Sequence, residues 1–281
     1  MIITPFEKIR DLLSKKIPLE LMNKLPNKWE KVGEVLVIVL PVELNDYKDL
    51  IGENYAKVLN CKTVLNTTGK ITGEFRKPKV EIIYGQKNTV TIHQENGIRF
   101  KLDPQKIMFS SGNLKERIRM AKISNENETV VDLFAGIGYF TLPVAVYSKP
   151  KKIFACEKNK VAYDFLCENI ILNNVTSIVQ PLKGDNRIIA PKNIADRVIM
   201  GYINNTYKFL PTAIDCLKNS SGVIHYHDVY PDEVAPEKPL RIVDKEIKKK
   251  KCEFKILRYE KVKSYAPGIS HFVFDIKIGK I

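Results

Sequence analysis

The apolar positions of the chain follow two rhythms that change over near residue 108. Before that point, FEKIRDLLSKK and DYKDLIGENYAKVLN have the spacing of amphipathic helices, whereas EVLVIVLP, EIIYG and TVTIHQENGIRFKLD are short strand-like runs. The last of these turns on Glu95-Asn96-Gly97 and predicts a hairpin. Residues 1–107 are therefore expected to form a small α+β domain. From Met108 onward, TVVDLFAG, KKIFACEKN, SIVQPLKGD, DRVIMGY and GVIHYHD each lead into a helical stretch. That alternation predicts a parallel, doubly wound sheet over residues 108–281. The closing segment, FKILRYEKVKSYAPGISHFVFDIKI, is two strand-like runs about a Pro-Gly turn and predicts an antiparallel hairpin on the sheet edge.

Composition adds the expected partners. With 281 residues, 44% of them hydrophobic and 28% charged, the chain has the balance of a soluble globular protein. No apolar run approaches the roughly 20 residues that cross a bilayer. Charges at Glu7, Lys8 and Arg10 interrupt the start where a signal peptide would be apolar, so a cytoplasmic location is expected. The five cysteines are scattered, with no CxxC pair, which favours reduced thiols over disulfides or zinc. A net charge of +14 and a pI near 9.4 make nucleic acid the first expected partner, with a merely solubilising surface as the alternative.

The chemistry centres on VVDLFAGIGYFTLP, a β-branched strand ending in Asp132 and followed by Gly136 and Gly138. Glycines here let the backbone approach a ligand at the carboxyl end of a central strand. The third glycine of a dinucleotide fingerprint is absent, because Tyr139, Phe140 and Thr141 follow Gly138. Glu157 ends the next strand, where a carboxylate can accept both hydroxyls of a ribose. Asp185 ends the third, where it can accept from an adenine amino group while the Asn186 backbone N–H faces a ring nitrogen. Any one of these acids alone is more simply a helix N-cap; the three together beside the glycine turn favour a cofactor site. DLFAGIG with Glu157 and Asp185-Asn186 resembles the class I S-adenosylmethionine-dependent transferases. The resemblance implies a Rossmann-like α/β fold whose seven-stranded sheet has a reversed last strand, with S-adenosylmethionine as cofactor.

Ahead of that strand lies FSSGNLKERIRMAKI, in which Asn113 and Glu116 have the spacing of a capping box. Ser110 and Arg117 near this helix start are candidates for holding the cofactor's methionine carboxylate, and Lys115, Arg119 and Lys122 for phosphates. The alternative is a solvated amphipathic helix with Leu114, Ile118 and Ala121 as its apolar side. FSSGNLKERIRMA, with TGKITGEFRKPKVEIIYG and TVTIHQENGIRFKLD upstream, is similar to a segment shared by two related tRNA-modifying families. These are the guanine-N1 methyltransferases acting 3′ of the anticodon and the wybutosine-synthesising aminocarboxypropyltransferases.

Two details resemble the aminocarboxypropyl branch. The methyltransferases end the strand equivalent to DRVIMGYINN in Asn-Pro-Pro or Asn-Leu-Pro, whereas Met200-Gly201-Tyr202 stands here, with His225-Tyr226-His227 on the next strand. Ser111-Gly112 likewise replaces the methyltransferases' Pro-Arg. The resemblance implies transfer of a 3-amino-3-carboxypropyl group to a carbon of a tricyclic wybutosine precursor in phenylalanine tRNA, near the anticodon. Methylation at the same position is the rival, and a non-catalytic RNA-binding module is the rival from another class. Met200, Gly201 and Tyr202 are expected to form an apolar wall, with Tyr202 either stacking on a base or packing in the core. Asp132 either holds the arm's amino group or shapes the loop, and no catalytic residue is assigned. Arg76, Lys77 and Lys79, in a basic loop with Phe75, are candidate RNA contacts, whereas Lys248–Lys251 are expected to be plain surface. His225 and His227 share a strand face but have no third ligand nearby in sequence, so no metal is expected. No protein partner and no membrane are implied.

Overall fold

The structure is a computed structural model that describes residues 3–280, apart from the side chains of residues 71 and 72. It divides into two compact units, one running to Gln94 and including Arg99–Ser111, the other comprising Glu95–Ile98 and the chain from Gly112 on. The division falls a few residues beyond the change of hydrophobic period.

In the first unit, helix α1 (Pro5–Leu13) starts at a capping box: Thr4 accepts from the Glu7 amide at 3.2 Å and Glu7 accepts from the Thr4 amide at 2.6 Å. Strands β1 (Glu30–Val32) and β2 (Val35–Ile38), helix α2 (Lys48–Leu59), and strands β3 (Thr63–Thr72) and β4 (Lys77–Gly85) follow. They make a four-stranded sheet in the order β1-β2-β3-β4, in which only β2 and β3 run parallel. Its core gathers Ile9, Leu13, Leu36, Ile51 and Tyr55, and the buried Tyr55 hydroxyl donates to the Pro26 carbonyl at 2.6 Å. The hairpin of β5 (Thr91–Glu95) and β6 (Ile98–Leu102) turns on Asn96 and Gly97, both with positive φ, as the asparagine-glycine pair predicts. The basic loop is shorter than its sequence suggests. Lys77 and Lys79 lie on β4, paired with Thr72 and Gly69, and only Arg76 (φ 50°) stands in the turn.

The second unit carries β7 (Thr129–Asp132), β8 (Lys152–Glu157), β9 (Val179–Lys183), β10 (Arg197–Met200), β11 (Gly222–Pro231), β12 (Cys252–Ala266) and β13 (Ile269–Lys280). Between them run α3 (Leu114–Met120), α4 (Thr141–Pro143, continued by a π-turn over Val144–Ser148), α5 (Lys160–Leu172), α6 (Asn186–Ile189), α7 (Leu210–Cys216) and α8 (Glu237–Lys248). The sheet order is β12-β13-β11-β10-β7-β8-β9, with β7 to β11 parallel and β13 antiparallel to both of its neighbours. This is the seven-stranded sheet with a reversed last strand. The terminal hairpin does not simply sit on the edge, because β13 is inserted between β11 and β12. Composition explains the choice: β13 is buried almost continuously from Ser270 to Ile276 and needs cover on both sides, whereas β12 exposes Lys255, Arg258 and Lys261.

Helix α3 is fastened to this sheet by charge. Asn113 makes no side-chain capping bond, so the expected capping box is not formed. Glu116 is instead buried and accepts from the Arg119 guanidinium at 2.7 and 2.8 Å, and Arg119 also donates to Asp275 on β13 at 2.6 Å. Asp275 in turn accepts from His225 Nδ1; His225 Nε2 accepts from Arg197 at 2.8 Å; and Arg197 closes the chain with two 2.9 Å bonds to Glu128. Arg119, a candidate phosphate contact in sequence, is thus the hub of an internal ion-pair chain. The two histidines have protein partners, His225 as described and His227 through a 3.0 Å contact with His271. Lys248, Lys249 and Lys250 pair with Asp244, Glu246 and Asp215 at the surface.

Removing one member of such a buried array strands the others without a counter-charge. Arg119→Ala is expected to cost about 3–5 kcal/mol in denaturant unfolding. A loss under about 1 kcal/mol, the value of an exposed pair, would show that the chain does not fasten α3.

Candidate active site

The glycine turn straddles three strands. The Leu133 amide donates to the Ile199 carbonyl on β10 and the Ala135 amide to the Cys156 carbonyl on β8, each at 3.0 Å. Gly136 (φ 58°) and Gly138 (φ 100°) occupy left-handed conformations, and a Cβ at either would stand 2.6–2.7 Å from the side chain of Tyr139 or Leu142. Asp132 is fully buried; one oxygen accepts from the Phe134 amide at 3.1 Å and the other from the Thr141 hydroxyl at 2.7 Å. Both bonds brace the loop. Burial pushes its carboxyl up to about 6.

Glu157, at the end of β8, ties the turn from the side: Oε2 accepts from the Gly136 amide and Oε1 from the Asn159 amide, both at 2.7 Å. Burial raises its carboxyl above the usual range, against the pull of those N–H groups. Asp185, beyond β9, is the N-cap of α6 and accepts from the Arg187 amide at 3.1 Å. The Arg187 guanidinium grips it at 2.9 and 2.6 Å and Lys158 stands 3.4 Å away, so Arg187 above all holds this carboxyl well below the ordinary range. The helix-cap alternative therefore describes Asp185 but neither Asp132 nor Glu157. Asn186 donates to the Leu133 carbonyl at 2.8 Å, which stitches the third strand end to the glycine turn, and its buried Oδ1 has no hydrogen-bond partner.

At the tip of β10, Met200 is wholly buried in the core between sheet and helices, and so belongs to the packing and not to an exposed wall. Gly201 lies against Phe140, whose ring would stand 2.7 Å from an added Cβ. Tyr202 is half-buried and stacked on Phe134 (4.9 Å between centroids, 15° between planes). Phe209 packs edge-on against Phe134 at 4.9 Å, and the Arg187 guanidinium lies 5.5 Å from the Phe209 ring. Tyr202 thus both packs and keeps an exposed side. Sequence reasoning missed Phe134 and Phe209; the aromatic inside DLFAG, at a turn where a small residue would serve, was the available clue.

The remaining predicted residues are spread over both units. Ser110 is half-buried in the first, and Lys77 and Lys79 are exposed there. Half-buried Arg76 turns its guanidinium toward the Met108 sulfur at 3.7 Å. In the second unit Lys115 is exposed, whereas Arg117 is buried and its guanidinium is taken bidentately by Glu95, one of the two bonds measuring 2.7 Å. The carboxylate that Arg117 holds here is the chain's own. Among the described residues no group of His, Cys, Asp and Glu has the arrangement to hold a metal ion.

With this geometry in place, the family model described as the TRM5/TYW2 methyltransferase domain matches residues 91–256, and that of the TYW2 N-terminal domain matches residues 9–89. The chain belongs to the TRM5/TYW2 family. It is 46% identical, over 97% of its own length and 97% of the relative's, to the tRNA(Phe) (4-demethylwyosine(37)-C(7)) aminocarboxypropyltransferase of Pyrococcus horikoshii. The crystal structure of P. horikoshii TYW2 in complex with MeSAdo is similar with a TM-score of 0.89 at 43% identity, covering 98% of this chain and 100% of that one. That of M. jannaschii TYW2 in complex with AdoMet is similar with a TM-score of 0.73 at 43% identity, covering 90% and 100%. Both TRM5/TYW2 neighbours have the class I fold described above.

Asp132 gives this family member a testable pH signature. Between the ordinary 3.8 and about 6 the folded chain holds a proton that the unfolded chain has released, so stability falls as pH rises through that window. Asp132→Asn keeps an acceptor for Phe134 and a partner for Thr141 but cannot ionise. Calorimetric unfolding should find it more stable than the parent above pH 6 by an amount of order 3 kcal/mol, the gap closing toward pH 4. A gap independent of pH would mean that Asp132 does not titrate there.

Proposed function

We propose that the protein transfers the 3-amino-3-carboxypropyl group of S-adenosylmethionine to a carbon of the 4-demethylwyosine-like tricyclic base in phenylalanine tRNA, releasing methylthioadenosine and the proton of that carbon. The observation that carries this reading is the tip of β10. Where the base is to be met, the chain presents Gly201 and a stacked Tyr202 without the amide that would orient a guanine for methylation. The near full-length similarity to the P. horikoshii aminocarboxypropyltransferase supports it.

The residues present suit the cofactor. The left-handed glycines leave the turn without side chains at positions 136 and 138, the Asn186 Oδ1 is an unused acceptor, and Asp185 is kept ionised by Arg187. Glu157 would take the ribose hydroxyls through the lone pairs that its two backbone bonds leave open. When bound, the cofactor supplies a sulfonium with three carbon substituents, any of which is open to in-line displacement. Phe140, Gly201 and Tyr202 form an apolar boundary that excludes water, and Tyr202 offers a face for stacking. Met200, Gly201 and Tyr202 bring no carboxylate, imidazole or amine to the strand tip. Orientation is then the main contribution, and effective molarities of about 10⁵ to 10⁸ M are attainable in well-aligned pairs. Lys77 and Lys79 in the first unit and Lys115 in the second are exposed cations that suit RNA phosphates near the anticodon, and Arg76 directly precedes Lys77 in the chain. Action without a protein partner, in the cytoplasm, belongs to the same proposal; among the described residues no helix is long and apolar enough to cross a membrane.

Doubly labelled cofactor tests it. Carboxyl label should enter the tRNA and methyl label should stay with the released nucleoside. Methyl label in the tRNA, with homocysteine as co-product, would establish methylation at the same position instead.

A further inference from the structure

Past the tip of β10 the chain reverses through Asn204 (φ 74°) and Asn205 (φ 67°), two consecutive left-handed residues that are not glycine. Each such residue carries a steric cost of about 1 kcal/mol or more, so a pair of them needs something to hold it. The holder is Asp228 on the neighbouring strand β11. Its Oδ1 accepts from the Asn204 amide at 2.7 Å and the Val229 amide at 2.9 Å. Its Oδ2 accepts from the Thr206 amide at 2.9 Å and the Tyr226 hydroxyl at 3.0 Å, and that hydroxyl lies 2.7 Å from the Tyr230 hydroxyl. Asp228 is buried, and four donors converge on its two oxygens.

Four donors select a carboxylate. An asparagine offers one acceptor oxygen, and its NH₂ would face two groups that also donate. Two of the donors, at 204 and 206, come from the reversing segment itself, which carries Tyr202 just before it and Phe209 just after. Both rings pack on Phe134 of the glycine turn. The path of the segment therefore sets where the aromatic surface stands relative to that turn.

We propose that Asp228 is a positioning residue for the target base: by holding residues 204–206 it presents Tyr202 and Phe209 in a fixed place beside the glycine turn. That a base is what these rings meet rests on the function proposed above; that Asp228 holds the segment does not.

Full-length Asp228→Asn and Tyr226→Phe separate these statements. In hydrogen exchange followed by mass spectrometry, peptides covering 201–209 should exchange at least tenfold faster in Asp228→Asn, while those covering 133–138 keep the parent's rate. S-adenosylmethionine affinity by titration calorimetry should stay within twofold. Transfer of label to tRNA should slow about 100-fold, the scale of a displacement near 1 Å, through kcat more than through KM. Tyr226→Phe keeps the carboxylate and three donors and should fall between; it carries the test if Asp228→Asn does not fold. Unchanged exchange over 201–209 overturns the proposal, as does faster exchange with transfer still within twofold of the parent, or cofactor affinity lost in parallel with transfer. A parent protein that transfers neither label would refute the proposed function, and the exchange rates would still decide whether Asp228 holds the segment.

Discussion

A backbone N–H at Gly136 donating to the carboxylate of Glu157 fixes the geometry of the second unit's working end. The bond joins a turn from one strand to the end of the next, at a glycine that takes φ 58°. Asp132 braces the same turn from beneath through Phe134 and Thr141, and Asn186 ties it to the third strand through Leu133. Three polar side chains from three strand ends thus converge on one loop of six residues, Leu133 to Gly138. Because each bond is made by a buried or half-buried group, losing one leaves a desolvated partner unpaired, which costs more than the bond itself contributes.

The same economy of buried charge shapes the other face of the sheet. Glu116, Arg119, Asp275, His225, Arg197 and Glu128 form one alternating series in which every charge has a neighbour of opposite sign or a neutral imidazole. Desolvation drives His225 toward its neutral form, and the contact with Asp275 opposes this. Such series contribute little net stability over an apolar equivalent, but every member must keep its partner. Here that arrangement sets the position of α3 on the sheet.

The alternation of strand and helix after Met108, the glycine turn and the acids at successive strand ends were all legible in sequence, because they depend on local period and on residues with special backbone chemistry. What was not legible depended on partners distant in the chain. Arg119 looked like a surface cation until Asp275, far along the sequence, supplied its counter-charge. Strand β3 escaped notice because TVLNTTGK mixes threonine, asparagine and glycine, and its strand character comes from pairing between β2 and β4. Met200 was placed on the wall when it faces the core, since a strand tip shows its alternation but not which side the helices cover. Phe134 and Phe209 belong to the aromatic group only through the fold that brings the turn and the segment after β10 together.

The insertion of β13 between β11 and β12 makes two joins of the sheet depend on one strand. β12 has no neighbour in the sheet other than the strand that follows it. The flank of β11 is covered by the same strand, over a ten-residue ladder from Gly222 to Pro231. Displacing β13 would therefore detach β12 and bare an apolar strand border to unwanted pairing. The lysines and bulges along β12 serve the finished molecule by blunting the one border that β13 leaves behind.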